Sequence, residues 1–110
     1  MAKQLADHYV DLLADWAPVT TRPLFGAIAL YRNDHVFAMI WQGGLYFKVD
    51  DTLREEYESA GSRPLGYRSA GRDLALQSYW EVPADVLEDG DRLYRDAEAA
   101  YQAALSSSKK

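Results

Sequence analysis

Between Leu24 and Val49, apolar and small residues recur with a period of two, and two turn-forming pairs interrupt them. Successive side chains of a strand point to opposite faces, so this alternation reads as sheet and not as helix. Leu24, Gly26, Ile28 and Leu30 alternate with Phe25, Ala27, Ala29 and Tyr31. Phe37, Met39 and Trp41 then alternate with Val36, Ala38 and Ile40, and Leu45, Phe47 and Val49 alternate with Tyr46 and Lys48. Asn33-Asp34 and Gly43-Gly44 fall between these runs, and both pairs suit tight hairpin turns that need positive φ. The spacing predicts three antiparallel strands in a meander, one face turned to a core. The first two are apolar on both sides, which predicts that something covers part of the second face.

Helical periodicity flanks this block. Leu5, Tyr9, Leu12, Leu13 and Trp16 form one face of an amphipathic helix, expected to stop before Pro18. Asp50 or Asp51 can cap the next helix start, where free N–H groups and the positive dipole end favour carboxylates. Leu53, Tyr57 and Ala60 make a narrow apolar stripe, and Gly61 is a natural terminator. Beyond Pro64 a short strand at Leu65–Ser69 is expected to turn at Ala70-Gly71. It leads into a strand with Leu74, Leu76, Trp80 and Val82 on one face and Ala75, Gln77 and Tyr79 on the other, ended by Pro83. A helical turn at Asp85–Glu88 precedes a last helix marked by Leu93, Ala97, Ala100, Tyr101 and Ala104, with Ser106 to Lys110 expected to fray. The result is an α+β fold, a two-layer α-β(3)-α-β(2)-α arrangement with helices packed on a mainly antiparallel sheet.

Length and composition bound the rest. The 110 residues predict one domain spanning 1–110, with an ordered core over about 5–104. Apolar residues at 48% demand a packed interior. The net charge of −5 makes autonomous DNA binding unlikely on sequence grounds, because such affinity comes from neutralising phosphates. With no cysteine there is no disulfide, zinc ribbon or thiol nucleophile. Asp7, His8 and Asp11 break any signal-peptide core, and no run approaches the ~18 apolar residues of a membrane span. A soluble, cytoplasmic protein is expected.

Chemistry-bearing residues are sparse. Lys48, Asp50 and Asp51 invite a catalytic or metal-site reading, but alternation sends Lys48 away from Leu45 and Phe47, and two acids at a helix start are ordinary caps. His8 and His35 are the only histidines, both expected at the surface, and no spacing supplies the three or four ligands zinc needs. Ser59, Ser62, Ser69 and Ser78 lack a G-x-S-x-G setting. Gly43-Gly44 opens no helix and so cradles no phosphate, and Glu55, Glu56 and Glu58 read as a solvated helix face. No catalytic residue, cofactor or metal site is therefore assigned. What remains is a surface: Tyr31, Tyr46 and Tyr79 fall on the side of their strands away from the core, and Lys48 and Arg22 add cations to them. They form a candidate partner-binding face for a peptide, a subunit or single-stranded nucleic acid. Direct nucleic-acid binding through Arg22, Lys48, Arg68 and Arg72 is one alternative; a small-molecule enzyme with a pocket between sheet and helices is another.

Several stretches together resemble the N-terminal domain of the TfoX/Sxy family of competence and DNA-transformation regulators. They are Pro18 through Gly26, Ala29-Leu30-Tyr31, Val36 through Ile40, Gly44 through Asp50, Ala60-Gly61-Ser62 and Ser78 through Pro83. Where the family typically reads Met-Phe-Gly-Gly, this chain has Leu24-Phe25-Gly26-Ala27. Full-length regulators carry a second, C-terminal domain, so the chain resembles a stand-alone copy of the first. The resemblance implies a two-layer fold also seen in secretion chaperones, with no catalytic residues. It further implies a regulatory role as coactivator of a cyclic-AMP receptor protein-type transcription factor, with a homodimer as a further option.

Overall fold

A computed structural model of the chain describes residues 2–24, 27–69 and 72–107. The element order is α1 (Ala2–Leu13), β1 (Thr20–Leu24), β2 (Ala27–Arg32), β3 (His35–Trp41), β4 (Gly44–Lys48), α2 (Asp51–Ser59), β5 (Pro64–Ser69), β6 (Arg72–Glu81), α3 (Ala84–Leu87) and α4 (Gly90–Ser107). The six strands form one antiparallel sheet in the order β1-β2-β3-β4-β6-β5. The α+β class is as the periodicities predict.

The strand count is not: four strands precede α2, where the pattern predicts three. The additional strand, β1, pairs Thr20 with Tyr31 and Pro23 with Ile28. Thr20, Thr21, Arg22 and Pro23 are all exposed, so no apolar alternation announces the strand. It lies at a sheet edge, where a proline is tolerated because one side of the strand has no partner. Leu24 ends β1 instead of opening the first strand; Phe25-Gly26, the Ala70-Gly71 turn and the tail beyond 107 lie outside the described residues. At the N-terminus, α1 closes at Leu13, earlier than the Trp16 expected from its stripe. Trp16 and Ala17 donate backbone hydrogen bonds to the Leu13 carbonyl at 2.9 and 3.0 Å. At the other end, α4 carries Ser106 as helix, not as frayed tail.

Turn chemistry sets the meander. Asn33 and Asp34 take φ of 51° and 68°, as a two-residue type I′ turn requires. The next turn uses Gln42 and Gly43, at 48° and 81°, so Gly44 opens β4 and the turn sits one residue earlier than expected. Between these turns the β2–β3 register slips: Leu30 faces Ala38 but Tyr31 faces Val36. Phe37 is the extra residue of this bulge. The slip puts Phe37 beside Ala38 in the main core, parting it from Met39 and Trp41, with which simple alternation groups it.

One sheet face carries Leu30, Phe37, Ile40, Leu45, Phe47 and Trp80 against helical residues that include Leu13, Leu53, Tyr57, Leu93, Ala97 and Tyr101. Fully burying a side chain such as Leu93 contributes about 2 kcal/mol, which is why the 3.6-residue stripe of α4 lies along the sheet. The opposite face has its own small cluster of Ala27, Met39 and Leu65, bordered by half-buried Val36, Trp41, Tyr46 and Tyr79. Leu65 reaches it because β6 bulges against β5: Pro64 pairs with Trp80, while Leu65 pairs with Leu76. This is the partial cover that two-sided apolar strands predict.

Candidate partner-binding face

Strand alternation and register carry the five candidate residues to one face. On β4, Leu45 and Phe47 enter the core, so Tyr46 and Lys48 point to the helix-free side. Lys48 pairs with Tyr79 on β6, and Tyr46 with Glu81. Across the sheet Tyr46 is opposite Met39, Met39 opposite Ala29 and Ala29 opposite Arg22. Tyr31 shares their parity on β2.

Two cation–aromatic pairs occupy this face. The Arg22 guanidinium lies 5.3 Å from the Tyr31 ring centroid, and the Lys48 ammonium 5.3 Å from that of Tyr79. Arg32, Arg54 and Arg95 each have a carboxylate partner, whereas among the described residues Arg22 and Lys48 have rings instead. Partial burial holds the Lys48 ammonium below the usual lysine pKa. The Tyr79 hydroxyl is pushed up to about 12, chiefly by burial and then by Tyr31, which places the two tyrosines in electrostatic reach of each other. Burial, then Glu81, raises Tyr46. The face is thus a half-desolvated tyrosine surface flanked by two cations, where ring contacts of this kind are worth about 0.5–2 kcal/mol each.

The neighbouring acids have structural work. Asp50 has extended backbone (φ −87°, ψ −177°), and its Oδ1 accepts from the Leu53 N–H at 2.7 Å, an N-cap for α2. Asp51 pairs with Arg54 at 3.2 Å. A cleft of about 360 Å³ runs past Lys48, Asp50, Asp51, Ser78 and Gln102, but its acids are committed to α2. Glu55 and Glu58 are exposed, and Glu56 is paired with Arg95. His8 is exposed beside Tyr9; His35, expected at the surface, is half-buried with its ring edge toward Tyr101 at 6.3 Å. The Ser62 hydroxyl donates to the Glu81 carbonyl, while Ser59 and Ser78 are exposed. No three His, Asp or Glu residues converge on a metal-sized site among the described residues. Arg68 and Arg72 flank the far turn of the β5–β6 ribbon, opposite Asp73 and Ser69 respectively. Their side chains, like that of Ser69, lie outside the described part.

Two polar clusters escaped the sequence reading. Asp96 is buried in the apolar stripe of α4, accepting from the Tyr57 hydroxyl at 2.9 Å and from Arg95 Nε at 3.0 Å. Its signal was an acid at helical spacing between Leu93 and Ala100. The second centres on Arg32, whose guanidinium lies 4.7 Å from the Trp16 ring and 4.4 Å from the Tyr101 ring. Glu98 Oε1 accepts from Arg32 at 3.2 Å and from Trp16 Nε1 at 3.1 Å; Gln102, foremost, and these two donors hold its carboxyl below the usual range. The first cluster ties α2 to α4, and the second ties α4 and the segment after α1 to β2, on the helical side of the sheet.

A family profile described as the TfoX N-terminal domain matches residues 11–104. The chain belongs to the TfoX N-terminal domain family. The match spans most of the described sheet and helices, and so includes all five residues of the face. A relative in this family of competence regulators, protein Sxy of Escherichia coli (strain K12), is 28% identical over 95 residues. That alignment takes in 86% of this chain and 45% of Sxy, so the chain spans less than half the length of the curated relative. The family's second glycine, replaced by Ala27, falls at the start of β2, where the alanine is buried with Met39 and Leu65.

Proposed function

We propose that this chain is a regulatory protein-binding module of the cytoplasm, a transcriptional coactivator that works by protein–protein contact through the helix-free face. The observation that carries the reading is the TfoX N-terminal domain match over residues 11–104. The geometry supports the placement: the other face of the sheet is filled by helices, and Tyr31, Tyr46, Tyr79, Arg22 and Lys48 share the side that is not. A cyclic-AMP receptor protein-type transcription factor is the proposed partner, and self-association as a homodimer is the second use of the same face.

The test is fluorescence anisotropy of a labelled promoter duplex at low salt, titrated with this protein alone and then with the receptor protein already bound. A shift only in the second titration supports the coactivator reading, and its loss in a Tyr46→Ala/Lys48→Ala variant supports the face. Full activity of that variant rejects the face. A shift with this protein alone, falling with a log–log salt slope near −0.9 per neutralised phosphate, replaces the reading with direct DNA binding.

A further inference from the structure

The chemistry of the face narrows the partner, given the reading above that it docks a protein. Arg22 stands on β1 and Lys48 on β4, three inter-strand steps apart. At about 4.8 Å per step they are about 14 Å apart across the strands. The two-residue offset of Lys48 from the row of Arg22, Ala29, Met39 and Tyr46 is taken up by the Arg22 side chain reaching to Tyr31. Between them stand the Tyr31 ring on β2 and the half-buried Val36 on β3, while Tyr79, beneath the Lys48 ammonium, comes from β6, one strand beyond. Neither cation has a carboxylate partner among the described residues, on a chain whose net charge is −5. Arg32, Arg54 and Arg95 are spent on acids, whereas Arg22 and Lys48 have aromatic rings as their partners.

We propose that this face recognises an extended acidic segment of a partner protein, in which two carboxylates four residues apart bracket an apolar side chain. An extended chain advances about 3.4 Å per residue, so four residues span the gap between Arg22 and Lys48. The carboxylates pair with the two cations, and the apolar residue rests on Val36 and the Tyr31 ring. Glu81, opposite Tyr46 and beyond the cationic row, repels the same segment, so the segment crosses the strands instead of following β4. Nucleic acid is the weaker occupant, since two cations neutralise few phosphates and the surrounding charge is negative.

The probe is the peptide Gly-Glu-Gly-Phe-Gly-Glu-Gly, titrated into isotopically labelled protein and followed by amide chemical shifts. The proposal expects shifts confined to Arg22, Tyr31, Val36, Lys48 and Tyr79. It expects binding about tenfold weaker when both glutamates are glutamine, with the same loss for an Arg22→Gln/Lys48→Gln variant. Equal binding of the glutamine peptide, shifts elsewhere, absence of binding, or tighter binding of a short oligothymidylate overturns it. The peptide comparison uses the unaltered protein, so it stands even if the variant misfolds. Failure here, with partner-dependent anisotropy still lost in the Tyr46→Ala/Lys48→Ala variant, removes the acidic segment but leaves the protein-binding face.

Discussion

The hydrogen bond from Tyr57 to Asp96 makes a prediction whose sign depends on context. Tyr57 on α2 and Asp96 on α4 are both 1% exposed, and their side chains meet at 2.9 Å. Burial, followed by the Asp96 charge, raises the Tyr57 pKa, so the ring keeps its proton and remains a donor. A hydrogen bond to a charged acceptor contributes about 1.5–3 kcal/mol, so Tyr57→Phe should cost about 2 kcal/mol. For a domain of this size that lowers Tm by about 8 °C. Asp96→Ala should cost more, about 3 kcal/mol, because it strands a buried hydroxyl, opens a small void and unties Arg95; exposure of Arg95 keeps it below a fully buried ion pair. The decisive step is the double variant. Once Asp96 is alanine, the Tyr57 hydroxyl is a buried donor without its acceptor, and removing it should be neutral or stabilising. Urea unfolding followed by the fluorescence of Trp16, Trp41 and Trp80 measures all four corners of the cycle. Additivity within 0.5 kcal/mol, on the order of the scatter between independent sites, would refute the coupling.

Three further outcomes follow from local geometry. Asp50→Ala should cost about 1 kcal/mol in the same unfolding assay and Asp50→Asn almost nothing, since only the cap to Leu53 is lost. Gly61→Ala should cost about 1–2 kcal/mol and Gly61→Asn less, because the residue sits at φ +86° with open space around a Cβ, leaving backbone strain as the whole effect. Tyr79 should ionise near pH 12 by ultraviolet absorbance, against the usual 10.0. Because the folded value is the raised one, its stabilisation is complete below pH 10 and lost as the pH rises toward 12; a tyrosine spectrum complete by pH 10.5, roughly half a unit above the ordinary value, would contradict its burial.

The features legible from sequence are those whose signal is local. Asp50 caps α2, and Gly61 closes it by a Schellman arrangement: Ser62 N–H donates to the Tyr57 carbonyl at 2.9 Å, and Gly61 N–H to that of Glu58 at 3.0 Å. Parity on β4 was enough to put Tyr46 and Lys48 opposite Leu45 and Phe47. What could not be read depends on distant partners. Strand β1 exists because β2 offers an edge, not because its own residues alternate. The bulge at Phe37 breaks parity halfway along β3. Arg32 and Glu98 are 66 residues apart, and neither shows its partner in any local pattern. On the face itself, the bulge near Pro64 and Leu65 brings Leu65 toward Met39 and leaves Tyr79 half-buried.

The same physics explains why a partner would choose this face over the sheet edges. An edge strand recruits another chain through its unpaired N–H and C=O groups, and proline removes a donor from that row. Each edge strand here contains one: Pro23 in β1 and Pro64 at the start of β5. On the helical side, Glu98 and Asp96 are already engaged with Trp16, Arg32, Tyr57 and Arg95. Displacing those contacts would break bonds worth as much as any a newcomer could form. The tyrosine face makes no such demand, because its cations rest on rings that stay in place when a carboxylate arrives. Its charge is also opposite to that of the chain as a whole. On the proposed reading an acidic partner would be drawn to this patch and repelled elsewhere, so orientation would be selected during encounter, and added salt should slow association more than it speeds dissociation.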